Sequence, residues 1–109
     1  MAKLIGRYYF KQTSNGNLIG EFSCNLFHKI YTESADFKEG KRSKVPFIGS
    51  YFSTWEDEGN SIMADLDIDY KYKQKITIYK LTWKLKGNLT YVGEGMLCDN
   101  ILIGDYSEV

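Results

Sequence analysis

Val92-Gly93-Glu94-Gly95-Met96-Leu97-Cys98-Asp99-Asn100-Ile101-Leu102-Ile103-Gly104-Asp105-Tyr106 is the stretch that decides the fold. Taken as a two-residue turn, Asp99-Asn100 sets Leu97 against Leu102, Gly95 against Gly104 and Gly93 against Tyr106. Apolar faces apolar, and bare glycine shares a face with an aromatic ring. The same signature recurs as Ile5-Gly6-Arg7-Tyr8, Ile19-Gly20-Glu21-Phe22, Ile48-Gly49-Ser50-Tyr51 and Ile103-Gly104-Asp105-Tyr106. Side chains on a strand alternate between faces, so each glycine lies on the side of its aromatic and the isoleucine points the other way. Glycine weakens a strand unless it marks a bend or a close approach. Repeated on so many strands, it implies a sheet curled on purpose, with rings lying over the glycine backbone.

The same pairing test extends to the rest of the chain. Strand candidates fall at about 3–11, 17–25, 26–33, 45–56, 61–70, 75–85, 89–98 and 101–107. Alternation is strictest in Ile62-Met63-Ala64-Asp65-Leu66-Asp67-Ile68-Asp69-Tyr70. A Glu58-Gly59 turn sets Trp55 against Ile62 and Tyr51 against Leu66. A loop centred on Gly87 sets Leu85 against Leu89, Trp83 against Tyr91 and Tyr79 against Gly95. Centring the first loop on Ser14 sets Phe10 against Leu18, Tyr8 against Gly20 and Gly6 against Phe22. A loop over 71–74 sets Leu66 against Tyr79 and Ile62 against Trp83. Residues 26–38 are ambiguous: Leu26, Phe27, Ile30 and Tyr31 fit a helical spacing as well as a frayed strand. Strand is favoured there, followed by an exposed polar loop from Ser34 to Lys44.

The expected fold is all-β: an antiparallel up-and-down meander of about eight strands, closed into one small barrel domain over residues 1–109. In that architecture, with Gly6-Arg7-Tyr8 where lipocalin-like and avidin-like proteins carry Gly-x-Trp, the chain resembles the calycin group of barrels. The resemblance implies that a ligand could be held in the barrel mouth.

Composition narrows the functions. Nine tyrosines, six phenylalanines and two tryptophans among 109 residues favour strands. Fourteen basic and fourteen acidic side chains leave no net field, so neither nucleic acid nor an anionic membrane is expected as a partner. No apolar stretch suits a leader or a membrane helix, and a cytoplasmic protein is expected. Cys24 and Cys98 have no metal-like spacing and read as free thiols.

The expected interior carries no charged residue, which argues against acid–base catalysis and leaves no catalytic residue to name. His28, the one histidine, reads as a surface or capping residue. Asp65-x-Asp67-x-Asp69 fails as a calcium loop, since Tyr70 and Ile76 stand where glycine and glutamate are needed; no metal and no cofactor is expected. Lys38, Lys41, Arg42 and Lys44 are diluted by Asp36 and Glu39. Inside, aromatic side chains either fill the barrel or line a pocket.

The expectation adopted is a non-enzymatic binding module. A neutral aromatic or aliphatic small ligand would sit at the mouth among Tyr51, Trp55, Trp83, Tyr91 and Tyr106. The alternative is a protein-interaction barrel, inhibitory or oligomeric, acting through an outer apolar stripe that includes Ile48, Phe52, Val92, Met96 and Ile103. A homodimer or a protein partner would cover that stripe. An enzyme using the mouth for dehydration or cyclisation is a third option.

Overall fold

The structure is a computed structural model that describes residues 3–38 and 45–109. Eight strands follow one another around a closed antiparallel barrel: β1 (Ile5–Gln12), β2 (Leu18–Cys24), β3 (Tyr31–Phe37), β4 (Gly49–Asp57), β5 (Asn60–Lys73), β6 (Thr77–Leu85), β7 (Asn88–Cys98) and β8 (Ile101–Glu108). β8 pairs with β1, with Tyr8 opposite Gly104 and Gly6 opposite Tyr106, so no edge is left open. No helix occurs among the described residues, which settles 26–38 against the helical reading.

Three of the connections are two-residue turns with both central residues at positive φ: Glu58-Gly59, Lys86-Gly87 and Asp99-Asn100. This is the turn geometry whose twist matches that of the flanking strands. The β7–β8 and β4–β5 registers are those expected from the sequence, including Gly95 opposite Gly104 and Tyr51 opposite Leu66.

Elsewhere the faces are as expected but the partners differ. Along β1–β2 the register lies two residues away, with Tyr8 opposite Phe22 and Phe10 opposite Gly20. The loop Thr13 to Asn17 is longer than a tight turn and is tied by Thr13 Oγ1 accepting from the Asn17 amide at 3.1 Å. On β5–β6 the register moves by four, to Leu66 opposite Trp83 and Tyr70 opposite Tyr79, because β5 continues through the charged run to Lys73. Between β6 and β7, Leu85 faces Asn88 rather than Leu89. A bulge at Trp83/Lys84 then restores Trp83 opposite Tyr91 and keeps Tyr91, Gly93 and Gly95 inside.

The largest correction concerns β3. The strand runs over Tyr31–Phe37 rather than 26–33, and Leu26, Phe27 and Ile30 lie in an exposed loop. Ser34, Ala35, Asp36 and Phe37, expected in a polar loop, belong to the sheet. Lys41, Arg42 and Lys44 lie outside the described residues.

Inside, Phe10, Leu18, Tyr51, Leu66, Leu81 and Leu102 are sealed from solvent. One end is closed by Phe37, Phe47, Tyr51, Tyr70 and Tyr79, with Phe37 and Tyr51 ring centroids 4.8 Å apart. The inward glycines let the wall close. A Cβ at Gly104 would lie 1.8 Å from the Glu94 carbonyl oxygen, and one at Gly95 would lie 2.4 Å from the Tyr8 hydroxyl. That hydroxyl instead donates to the Glu94 carbonyl at 3.1 Å.

Candidate functional site

The other end carries the β2–β3 loop (25–30), the Glu58-Gly59 and Lys86-Gly87 turns, and the residues before β1 and after β8. A cavity of about 80 Å³ remains there, lined by Leu4, Tyr8, Phe22, Cys24, Phe27, Tyr31, Glu33, Trp55, Asp57, Trp83, Tyr91 and Tyr106. A buried water needs roughly 10–15 Å³ of such space, so the cavity has room for a small molecule.

At its floor is a residue that the sequence reading placed outside. Glu33 alternates with Tyr31, Ala35 and Phe37 along β3 and is only 5% exposed. Its cross-strand neighbours are Gly20, which has no side chain, and Trp55. Trp83 reaches across the barrel from β6 and donates Nε1–H to Glu33 Oε2 at 2.9 Å. The buried Ser53 hydroxyl on β4 donates to the same oxygen. Oε1 receives no hydrogen bond from a described residue. Since no sealed side-chain oxygen or nitrogen among the described residues lacks a partner, Oε1 keeps contact with open space, in the cavity that Glu33 lines.

Burial in this apolar setting disfavours the carboxylate and pushes Glu33 up to about 7, against the lowering effect of the Ser53 and Trp83 hydrogen bonds. The expectation of an uncharged interior is therefore corrected: one acid lies inside, poised near neutrality. The Tyr8 hydroxyl is raised above the usual phenol range, by burial first and then by Asp105, Glu33 and Glu94. Burial likewise raises Tyr106, whose hydroxyl donates to the Ser23 carbonyl at 3.0 Å.

The walls are aromatic. Phe22 stacks on Tyr31 at 5.0 Å, and Trp55 and Tyr106 meet Phe22 edge-on at 5.7 and 6.1 Å. Trp83 lies between Tyr8 at 5.8 Å and Tyr106 at 6.0 Å. Half-buried Asp57 stands at the rim, 3.5 Å from the Tyr31 hydroxyl. Phe27, 53% exposed, leans over the opening from the loop.

Of the expected ligand residues, Trp55, Trp83, Tyr91 and Tyr106 are brought together around this cavity. Tyr51 is not: it is sealed at the closed end, its hydroxyl donating to the Phe47 carbonyl at 2.8 Å. Glu33, Tyr31 and Phe27 were missed. The signal for Glu33 was parity, since Tyr31, Ala35 and Phe37 flank it on one face while Thr32, Ser34 and Asp36 occupy the other.

The outer residues form no single stripe. Met96 and Ile103 are exposed cross-strand neighbours, and Ile103 also faces Tyr9. Phe52 is exposed on β4, beneath the Lys38 ammonium 4.9 Å above its ring. Val92 is half-buried, and Ile48 packs against the core. His28 is exposed in the β2–β3 loop. Glu94 faces Asp105 and is paired with Lys71, while Arg7 lies between Ser23 and Asp105. A broad outer hollow of about 970 Å³ carries Arg7, Lys71 and Lys80 with Glu94 and Asp105. It is open to solvent, whereas the mouth cavity is where aromatic surface and a buried acid converge.

Among the described residues, no three His, Cys, Asp or Glu side chains are grouped to hold a metal ion. Compared with protein-family models, curated proteins and solved structures, the chain finds no match in any of the three. What is established is the architecture, an eight-stranded antiparallel closed barrel.

Proposed function

We propose that this barrel is a binding module that takes a small organic molecule into its open end, in the manner that calycin-like barrels suggest. The observation that carries the reading is the incomplete filling of one end. The closed end is packed with rings, while the other keeps a cavity with aromatic walls and a polar floor. Sequence reasoning favoured a neutral ligand because it placed no charge inside. With Glu33 at the floor, the fitting ligand has an aromatic or aliphatic body and a hydrogen-bond donor at its inner end. The body packs among Trp55, Tyr91 and Tyr106, since Tyr31 is already stacked on Phe22, and the donor meets Glu33 Oε1. The Phe27 loop gives access without unfolding a strand.

The test is an NMR screen of small aromatic and aliphatic amines, alcohols and amides against labelled protein. Binding here moves the Trp55 and Trp83 indole signals and the amides of 24–31, while leaving the Phe47 and Tyr51 amides still. If no compound moves those signals at millimolar concentration, the reading fails.

A second reading, association with another copy of the chain, is favoured by the exposed neighbours Met96 and Ile103, which are 53% and 47% exposed. Sedimentation decides it. A dimer that Met96→Lys dissociates supports association, and a monomer throughout the micromolar range removes it.

A further inference from the structure

We propose that the ligand's inner end is a protonated amine, held by the Glu33 carboxylate within a cage of aromatic faces. This rests on the binding reading above and adds the charge of the ligand. Three observations converge on it. Glu33 is nine-tenths buried, yet one of its oxygens has no partner among the described residues and borders the cavity. Buried charge is tolerated when it is paired, and among the described residues no lysine, arginine or histidine lines the cavity to pair it. Trp55, Trp83, Tyr91 and Tyr106 line the cavity, and aromatic rings attract cations. The walls already do so once: the Lys29 ammonium lies 5.0 Å from the centroid of Tyr31 while lining no part of the cavity. A second carboxylate, Asp57, stands at the rim on the path inward.

Among the described residues, the groups facing Glu33 add no competing cation. Tyr8 on β1, Tyr91 on β7 and Tyr106 on β8 are raised phenols that stay neutral through pH 8. Cys24 on β2, Tyr31 on β3, Ser53, Trp55 and Asp57 on β4, and Trp83 on β6 complete the polar groups of the site among the described residues. Toward β5 the interior presents Ala64 and Leu66, which do not titrate. A guest ammonium thus replaces the proton that Glu33 would otherwise keep. The carboxyl proton leaves to solvent and the ammonium takes its place.

The experiment compares n-butylamine with 1-butanol, and benzylamine with benzyl alcohol, by NMR titration at pH 6 and pH 8. The protein variants are wild type, Glu33→Gln and Asp57→Asn. Both amines remain protonated at both pH values. Free Glu33 goes from about one-tenth to about nine-tenths ionised across that range, so amine affinity should rise about tenfold. The alcohols should gain nothing. Glu33→Gln should erase both the amine preference and its pH dependence, while Asp57→Asn should weaken amine binding by a smaller factor. Should Glu33→Gln not fold, the pH dependence in wild type still decides. Amines and alcohols binding equally and without pH dependence would overturn the charge assignment and leave the binding module standing. Neither class binding would overturn both.

Discussion

Replacing Glu33 by glutamine keeps the shape and an oxygen for Ser53 and Trp83 but removes the ionisation. In the folded chain Glu33 holds its proton up to about 7, against an ordinary glutamate value near 4.5 once exposed. An acid raised in this way adds stability that is complete below the unfolded value and is lost as pH climbs to the folded one. Between pH 4.5 and 7 the unfolded chain sheds this proton while the folded chain retains it. The loss is about 1.4 kcal/mol for each pH unit in that window, about 3 kcal/mol in all, with no further change above. Glutamine has no such loss. The stability of Glu33→Gln relative to wild type should therefore grow by about 3 kcal/mol from pH 4 to pH 8. Urea unfolding followed by tryptophan emission, with both proteins at each pH, cancels the groups they share. The difference between their midpoints should change by roughly 1–3 M. Parallel pH profiles for the two proteins would refute a neutral buried Glu33.

Removing the Ser53 hydroxyl takes away a donor to the carboxylate, so Ser53→Ala should move the Glu33 midpoint up by about one pH unit, read from the Trp83 indole signal. Gly104→Ala drives a Cβ into the Glu94 carbonyl, and calorimetry should show a loss of about 3 kcal/mol or no folded protein. Glu94→Ala removes both the exposed Lys71 pair and the repulsion from Asp105. Its melting temperature should stay within about 2 °C of wild type.

How much of this was legible depended on whether local chemistry and the global pattern agreed. At Asp99-Asn100 and Glu58-Gly59 a short turn fixes the register and apolar pairs confirm it, so Gly95 and Gly104 could be placed opposite each other from the sequence. The β6–β7 register held from Trp83 onward, although a bulge rather than a longer loop produces it. Longer loops set no count, which is why β1–β2 and β5–β6 were displaced by even numbers that left every face intact. The failure at β3 has another cause. Its inner face carries Glu33 and Ala35, which weaken the apolar alternation. The apolar residues that drew attention, Leu26, Phe27 and Ile30, stay in the loop, with Ile30 62% exposed. A strand that buries an acid beside a loop that exposes phenylalanine breaks the folding pattern at the end where the cavity lies. Such local conflicts are expected where a chain is shaped for binding as well as for stability.

The indole proton of Trp83 offers the shortest route to the buried acid, because it is donated to Glu33 itself. Followed by ¹⁵N-resolved NMR from pH 4 to pH 9, that signal should move in a single step centred near 7, a step that Glu33→Gln abolishes. A Trp83 signal that stays still, or that moves near 4.5 as an exposed glutamate would make it, would contradict the carboxyl at the cavity floor and the amine site built on it.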